Sequence, residues 1–296
     1  MAKIFYVLEK YLIDTDESED WEEKLKQEKV EYAIVKRVPL VNNFDKAFPD
    51  GLPEQCQNGS GYIPIYYCTI EMCRLLRLYA EEKNLNLTGL FYPGVGGIPC
   101  FVWREILDDA GIPLVNNGFF TTCYDLIEDW NNIFAMNNSN ALFIKPNSGD
   151  KVFQGKVWYD YEKEKFIKFI QDEVEENRQR ITDIYPELVF VNEPVKIKAE
   201  YRFFILNQQV ICGSQYRRDS ILDKRIDVMP KAKRLANKVA DIPRRHQADT
   251  FYACDVAELE NGEFKVLELN AGSCSGLYQH NKSLIIKAFK RYFKIW

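Results

Sequence analysis

The segment 251–271 constrains the fold of this chain most strongly, because two runs of strand-forming residues flank the dipeptide Asn261-Gly262. An Asn-Gly pair in this setting is typical of the two-residue type I′ turn that joins antiparallel strands. Such a turn sets the register of the whole hairpin, and counting outward from it places Asp255 directly opposite Glu268. The sequence therefore predicts that two carboxylates face each other across paired strands.

Two like charges facing each other destabilise an antiparallel pair, and the neighbouring residues of both strands are apolar. Asp255 and Glu268 therefore need a cation. With Asn270, two residues further along the same face, they offer the oxygen ligands that Mg²⁺ prefers. An arginine or lysine from another strand would also neutralise the pair, and a different register would separate the carboxylates. The sequence alone leaves these three interpretations open.

A second hairpin is predicted to turn at Asn207-Gln208, although glutamine tolerates the positive φ of such a turn poorly. In this hairpin Glu200 and Arg202 share one face, and Arg217 extends the facing strand on the same side. Two arginines on one sheet face suit a phosphate or a carboxylate. The alternative is that they neutralise Glu200 and other acids.

Two lysines flank a loop that could cover phosphates. Lys145 ends a predicted strand, a turn-rich loop follows, and Lys151 precedes the next strand, predicted over residues 152–158. A loop between two such strands can fold over phosphates, with its backbone as donor and the lysines as charge. Surface lysines are common, so two solvated side chains are the alternative interpretation.

Strand and helix patterns indicate two kinds of architecture along the chain. The first ~120 residues alternate strands with helices, one of them beginning at Thr69, which predicts a parallel α/β lobe. Antiparallel hairpins and helices follow, which is typical of α+β structure. We expect a domain over residues 1–125 and a second over 126–296, with a central lobe at about 140–190 and a C-terminal lobe at about 191–296.

Composition excludes several classes of protein. The net charge of −5 over 296 residues gives no basic field for nucleic acid. No apolar run reaches the length of a membrane helix, and the start shows no signal-peptide pattern. The eight cysteines form no C-x-x-C motif and mostly lie in apolar runs. We therefore expect buried free thiols in a cytoplasmic protein.

Taken in chain order, these features resemble the ATP-grasp family: a strand lysine, a loop, the hinge Glu193-Pro194-Val195, a later glutamate, an arginine strand, and an aspartate followed by Glu-x-Asn. The likeness is strongest to the ATP-grasp clade named for two arginines and one lysine, many of whose members are phage-encoded. It covers about residues 140–295. The region before it resembles the α/β domain that precedes ATP-grasp domains.

The resemblance implies a role for each candidate residue. It assigns ATP binding to Lys145 at the α-phosphate and adenine side, Lys151 in the phosphate-covering loop, Glu193 and the backbone of Val195 at adenine, and Glu200 at the ribose. It assigns the phosphate or acyl phosphate to Arg202 and Arg217, as catalytic residues, and Mg²⁺ to Asp255, Glu268 and Asn270. Arg244, Arg245 and His246 receive no role.

By the same resemblance, the chain is an ATP-dependent carboxylate–amine ligase that forms an acyl phosphate and releases ADP. ATP and Mg²⁺ are the expected cofactors. The residues do not identify the carboxylate or the amine, and a peptide or protein is one candidate substrate. The alternative is a catalytically inactive nucleotide-binding module that acts by binding a partner protein. A phage gene would place the protein in the host cytoplasm.

Overall fold

A computed structural model describes residues 2–15, 21–38, 43–92, 99–115, 117–149, 152–176, 187–243 and 250–294. Lys151 lies outside the described residues, and so do Arg244, Arg245 and His246. The described chain forms one parallel and two antiparallel sheets. This confirms the predicted fold class.

The N-terminal sheet is parallel, with the strand order β2-β1-β3. Its central strand is apolar at almost every position and is buried on both faces, as expected when helices cover a parallel sheet. The predicted N-cap is confirmed, since the Thr69 hydroxyl accepts a hydrogen bond from the Met72 N–H. The elements are β1 (Lys3–Glu9), α1 (Lys10–Thr15), α2 (Trp21–Gln27), β2 (Glu31–Val35), α3 (Phe44–Ala47), β3 (Tyr62–Tyr67), α4 (Ile70–Tyr79) and α5 (Cys100–Asp109).

The four-stranded sheet is antiparallel, with the order β4-β7-β5-β6. Its core is aromatic, and the ring of Phe166 packs against those of Trp130 and Trp158. The elements are β4 (Phe119–Thr122), α6 (Cys123–Glu128), α7 (Trp130–Met136), β5 (Ala141–Pro146), β6 (Lys156–Tyr159), α8 (Lys163–Glu176) and β7 (Leu188–Asn192).

The five-stranded sheet is also antiparallel, with the order β10-β9-β8-β11-β12. Alternate residues of its strands face opposite sides. Tyr201 and Phe203 thus alternate with Arg202, and they pack on the side of the last-but-one helix. The elements are β8 (Ile197–Leu206), β9 (Gln209–Arg218), β10 (Ile221–Arg225), α9 (Pro230–Ala240), β11 (Phe251–Leu259), β12 (Phe264–Ala271) and α10 (Lys282–Tyr292).

The opposite face of β8 joins the N-terminal sheet to the five-stranded sheet. Phe204 and Leu206 share a buried cluster with Ile4 and Tyr6 of β1 and with Phe289 of α10. The same face continues back along β8 to Arg202 and Glu200. The site residues therefore lie where this apolar interface ends.

Some sequence predictions differ from the structure. The apolar runs 90–92 and 112–115 belong to the alternation that predicts strands, yet residues 90–92 form no strand and residues 112–115 make only an isolated bridge between Leu114 and Val266. Both segments are apolar because they are buried between larger elements. β6 begins at Lys156, later than predicted. The domain boundaries stay a prediction, and β4, which precedes the expected boundary at residue 125, pairs with β7.

All eight cysteines lie within the described residues, and none of them forms a disulfide. Six of the thiols are buried and two are partly exposed. Across the described segments, no helix combines the length and the apolar character needed to cross a membrane.

Candidate active site

The hairpin of β11 and β12 places Asp255 opposite Glu268, as predicted, although its turn differs from the predicted one. The backbone N–H of Leu259 donates to the carbonyl oxygen of Glu263 over 2.9 Å, so the loop has three residues and ends at Gly262 with a φ of 79°. A positive φ favours glycine at this position. A bulge then inserts Leu267 into β12 and restores the predicted pairing. The longer loop and the bulge thus shift the strand register in opposite directions, and their effects cancel at Asp255 and Glu268.

The hairpin of β8 and β9 turns at Asn207 and Gln208, as predicted, and φ is positive at both residues. Two bulges in β9 shift its register, so that Arg202 pairs with Ser214 and Glu200 pairs with Arg217. Bulges bend a strand and redirect its side chains. Here they place a serine beside Arg202.

Arg202 and Asp255 are cross-strand neighbours and form a bidentate ion pair. Nε of Arg202 donates to Oδ1 of Asp255 over 2.8 Å, and Nη2 donates to Oδ2 over 2.7 Å. The side chain of Asp255 is 0% exposed and that of Arg202 is 8% exposed. The cation that the sequence required for this carboxylate is therefore supplied, at least in part, by an arginine of the next strand.

Two tyrosines surround this ion pair. The rings of Tyr216 and Tyr278 stack with their centroids 4.7 Å apart, and the Arg202 guanidinium lies 5.4 Å and 5.2 Å from these centroids. The Tyr216 hydroxyl donates to Glu200 and, over 3.4 Å, to Asp255. These contacts hold Arg202 in one position, since cation–π contacts are stronger away from water.

Burial and nearby charges shift the pKa of Asp255. Burial, together with the nearby Glu268, raises the pKa of this carboxyl to about 6, although Arg202 opposes the shift. A perturbed carboxyl beside a cleft is typical of a functional site, although structural ion pairs also perturb pKa values.

His280 contacts the backbone of Arg202. Its Nε2 lies 3.0 Å from the carbonyl oxygen of Arg202, and its Nδ1 lies 3.0 Å from the Ser214 hydroxyl and contacts the Leu277 carbonyl. Burial lowers the pKa of His280 to about 4, although both carbonyl contacts oppose this shift. His280 is therefore a neutral residue that joins β8, β9 and the segment before α10.

A cleft of about 460 Å³ opens between the four-stranded and the five-stranded sheet. This volume is in the range of small-molecule sites. The cleft brings together Lys145 from β5 with Glu268 and Asn270 from β12, three residues that the sequence singled out. Its other lining residues are Cys100, Trp103, Phe143, Pro146, Asn147, Ser148, Gly149, Phe153, Gln154, Gly155 and Leu269.

The surroundings of Lys145 hold it in the cleft. Its ammonium lies 5.5 Å from the ring centroid of Trp103. Burial raises the pKa of the Cys100 thiol, and the Lys145 ammonium makes this rise smaller. The loop after Lys145 passes close by, since a Cβ atom on Gly155 would lie only 2.8 Å from the Cβ atom of Lys145. Only glycine fits at this approach.

The remaining predicted residues lie outside this lining as far as the described residues define it. Glu193 and Val195 follow β7 on an exposed segment, and Val195 is 38% exposed. The Arg217 guanidinium lies 3.7 Å from the Glu200 carboxylate. This is the neutralising contact that the sequence left open as the alternative for the arginines.

The donor set for Mg²⁺ is small. Within the described segments, no group of three or more histidine, cysteine, aspartate or glutamate side chains is placed to hold a metal ion. Glu268 and Asn270 line the cleft, and Nδ2 of Asn270 donates to Oε1 of Glu268 over 2.8 Å, which leaves the amide oxygen as a ligand. Mg²⁺ takes few protein ligands and completes its shell with phosphates and water, so these residues fit a nucleotide-bound ion.

The sequence did not predict several residues of the site. Tyr216 and Ser214 reach the site because of the bulges in β9, and no local sequence pattern predicts those bulges. Tyr278 has a positive φ of 47° and follows the predicted hairpin by several residues. Trp103 comes from α5, far away in sequence. The only available signal was composition, because aromatic residues next to charged ones are typical of binding sites.

Solved structures share this fold. D-cycloserine synthetase DcsG aligns with a TM-score of 0.61 at 10% identity, over 98% of this chain and 99% of that chain. D-alanine–D-alanine ligase from Bacillus anthracis aligns with a TM-score of 0.54 at 13% identity, over 100% and 95%. The ATP-grasp ligase PsnB, complexed with precursor peptide PsnA2 and AMPPNP, aligns with a TM-score of 0.50 at 15% identity, over 92% and 89%. At these identities the likeness shows the fold alone.

No curated protein matches the chain in sequence. A family model does match, and it covers residues 126–288, which is more than half of the 296 residues. The matched region contains the four-stranded sheet except β4, the whole five-stranded sheet and all residues that line the cleft except Cys100 and Trp103. The chain therefore belongs to the ATP-grasp domain family, R₂K clade family 2.

Proposed function

We propose that this protein is an ATP-dependent carboxylate–amine ligase that forms an acyl phosphate and releases ADP. In this proposal ATP is bound by Lys145, Lys151, Glu193, Val195 and Glu200. Arg202 and Arg217 act on the transferred phosphoryl. Asp255, Glu268 and Asn270 hold Mg²⁺.

The observation that carries this proposal is the composition of the cleft. A lysine on one wall faces a glutamate and an asparagine on the other wall, within a volume that suits a nucleotide. Lysine provides charge for phosphates, and the opposite oxygens provide ligands for the Mg²⁺ that accompanies them. Membership of the ATP-grasp family supports the same assignment.

The chemistry divides into two transfers. A carboxylate oxygen of the substrate attacks the γ-phosphorus of ATP, the bond to the bridging oxygen breaks, and ADP leaves. An amine nitrogen then attacks the carbonyl carbon of the acyl phosphate, inorganic phosphate leaves with the electron pair, and the nitrogen loses a proton. Guanidinium and ammonium groups stabilise the negative charge that develops in each step.

The substrate proposal is a peptide or protein in the cytoplasm. Its support comes from fold likeness, since PsnB is a ligase complexed with a precursor peptide. The eight free cysteines support a reducing compartment. The net charge of −5 argues against nucleic acid as substrate.

A catalytically inactive nucleotide-binding module that acts by binding a partner protein is the second candidate. The observation that favours it is the state of Arg202, whose guanidinium donates to Asp255 and, through Nη1 over 3.2 Å, to the carbonyl of Gly276. Few donors of this arginine are left for a phosphoryl group.

Trapping of the acyl phosphate separates the two candidates. The protein is incubated with Mg·ATP, pools of carboxylates or peptides, and hydroxylamine, which replaces the unknown amine. A ligase yields ADP and a hydroxamate, both of which mass spectrometry detects. Glu268→Gln is the matched control and should lose both products. Binding of ATP by calorimetry without any ADP release would support the inactive module, and absence of nucleotide binding would contradict both.

A further inference from the structure

We infer that Arg202 acts as a built-in counter-ion that prevents a divalent cation from binding to the Asp255–Glu268 pair before the nucleotide arrives. This inference rests on the metal ligands of the proposed function. Metal binding would then depend on the nucleotide because of one buried arginine, whose charge offsets part of the negative charge that would attract free metal.

The order of charges across the sheet supports this inference. Arg202 on β8, Asp255 on β11 and Glu268 on β12 occupy one cross-strand row. The arginine reduces the net charge of this row from −2 to −1, counting one charge for each side chain. Affinity for hard divalent cations depends on the number of charged ligands. Free Mg²⁺ should therefore bind weakly, whereas nucleotide phosphates would supply the missing negative charge.

The geometry at Asp255 leaves room for both Arg202 and a metal ion. Each carboxylate oxygen of Asp255 accepts one hydrogen bond from Arg202, at 2.8 and 2.7 Å, and Oδ2 also accepts a long one from the Tyr216 hydroxyl, at 3.4 Å. A carboxylate oxygen has more than one lone pair, so the ion pair does not use up its capacity as a ligand. Asp255 could thus hold Arg202 on one side and share a metal ion with Glu268 on the other. The arginine sets the charge of the site without filling it.

Arg202 is also held too firmly to leave when a metal ion arrives. Its side chain is buried, it donates to the Gly276 carbonyl, and it lies beside the stacked rings of Tyr216 and Tyr278. Moving Arg202 would leave the buried carboxylate of Asp255 without this partner and would break several other contacts at once. The counter-ion is therefore a fixed part of the site.

The test measures Mn²⁺ binding without any nucleotide, by electron paramagnetic resonance of the free ion. The wild type should bind Mn²⁺ only weakly at this site. Arg202→Met should bind it about 10- to 100-fold more tightly, a size common for changes beside metal ligands. Glu268→Gln added to Arg202→Met should abolish the gain. Arg217→Met is the matched control, since Arg217 contacts Glu200 and not Asp255, and it should leave Mn²⁺ binding unchanged.

Arg202→Met leaves Asp255 unpaired and could destabilise the fold, so thermal unfolding is the second measurement. Mn²⁺ alone should raise the melting temperature of Arg202→Met and leave that of the wild type unchanged. The inference is overturned if Arg202→Met gains no Mn²⁺ affinity and no stabilisation, or if wild type binds Mn²⁺ tightly and Glu268→Gln removes that binding. Gain of Mn²⁺ binding by Arg202→Met in a protein that binds no ATP would contradict the proposed function and leave this inference standing.

Discussion

The side-chain oxygen of Asn147 accepts a hydrogen bond from the backbone N–H of Phe101 over 2.7 Å, and this bond joins the loop after β5 to the first turn of α5. The carbonyl oxygen of Asn147 accepts a second bond from the N–H of Cys100, also over 2.7 Å. The preceding residue, Pro99, provides no side-chain cap. A residue that lines the cleft thus caps a helix that is remote in sequence.

Replacement of this cap should weaken both stability and nucleotide binding. Asn147→Ala removes the acceptor for the Phe101 N–H and should lower the free energy of unfolding by about 0.5–2 kcal/mol. Urea denaturation measures this change. Asn147→Asp keeps the accepting oxygen and is the control. Equal stability of Asn147→Ala and wild type would show that water replaces the cap.

Gly155→Ala should disturb Lys145. The added Cβ atom would lie 2.8 Å from the Cβ atom of Lys145 and 2.8 Å from the Cζ atom of Phe143. We expect a loss of about 1–3 kcal/mol in unfolding free energy, as for other overpacked sites, and weaker ATP binding by calorimetry. Gly276→Ala is the matched control, because its Cβ atom would meet nothing closer than 3.6 Å. Equal behaviour of the two variants would disprove this steric argument.

The two carboxylates of the hairpin should respond differently to neutralisation. Asp255→Asn leaves Arg202 buried without its charge partner, and should cost about 3–5 kcal/mol of stability. Glu268→Gln removes a like charge from the row and should leave the fold intact while it weakens Mg·ATP binding. Denaturation curves and calorimetry on both variants check this. Arg202→Met combined with Asp255→Asn should recover part of the stability, and a purely additive loss would argue against direct coupling.

Arg217 should matter more for turnover than for ATP affinity. Its side chain is 47% exposed, and its contact with Glu200 is long, at 3.7 Å. It is therefore free to reorient toward a phosphoryl group, where charge develops in the transition state. Arg217→Lys lacks the planar fork and should lower the rate of ADP release by about 10²–10³-fold. Equal losses in affinity and rate would instead make Arg217 a nucleotide-binding residue.

His280 should make stability depend on pH. Its pKa is about 4 in the folded chain, against 6.5 for the ordinary side chain. Between these values the unfolded chain binds the proton more readily, so stability is complete above pH 6.5 and decreases as the pH falls toward 4. His280 therefore contributes about 2–4 kcal/mol to the free energy of unfolding at neutral pH, at 1.36 kcal/mol for each pKa unit.

His280→Gln should flatten this part of the profile, measured as urea unfolding free energies at several pH values. The difference between variant and wild type is the relevant quantity, because Asp255 acts in the opposite direction. Its pKa is raised by burial to about 6, so it stabilises the fold at low pH and loses this effect as the pH rises. An unchanged slope in His280→Gln would mean that folding does not shift the pKa of this histidine.

Local patterns of the sequence determined much of this protein. The alternation of strands and helices predicted the parallel N-terminal sheet, and Thr69 marked the start of α4. The two hairpins were placed correctly because turn residues and strand periodicity act over a few neighbouring residues. The opposition of Asp255 and Glu268 was predicted from a regular turn. It holds in the structure because a bulge at Leu267 compensates for the longer loop, and that compensation could not be foreseen.

The tertiary structure decided which charges meet. β8 pairs with β11, so Arg202 becomes the partner of Asp255 across more than 50 residues of sequence. No local propensity specifies that pairing, because it depends on how whole strands bury their apolar faces against α9 and the N-terminal sheet. The same applies to the cleft, where α5, β5 and β12 contribute Trp103, Lys145 and Glu268. The sequence by itself supplied the functional side chains, and long-range packing determined their partners.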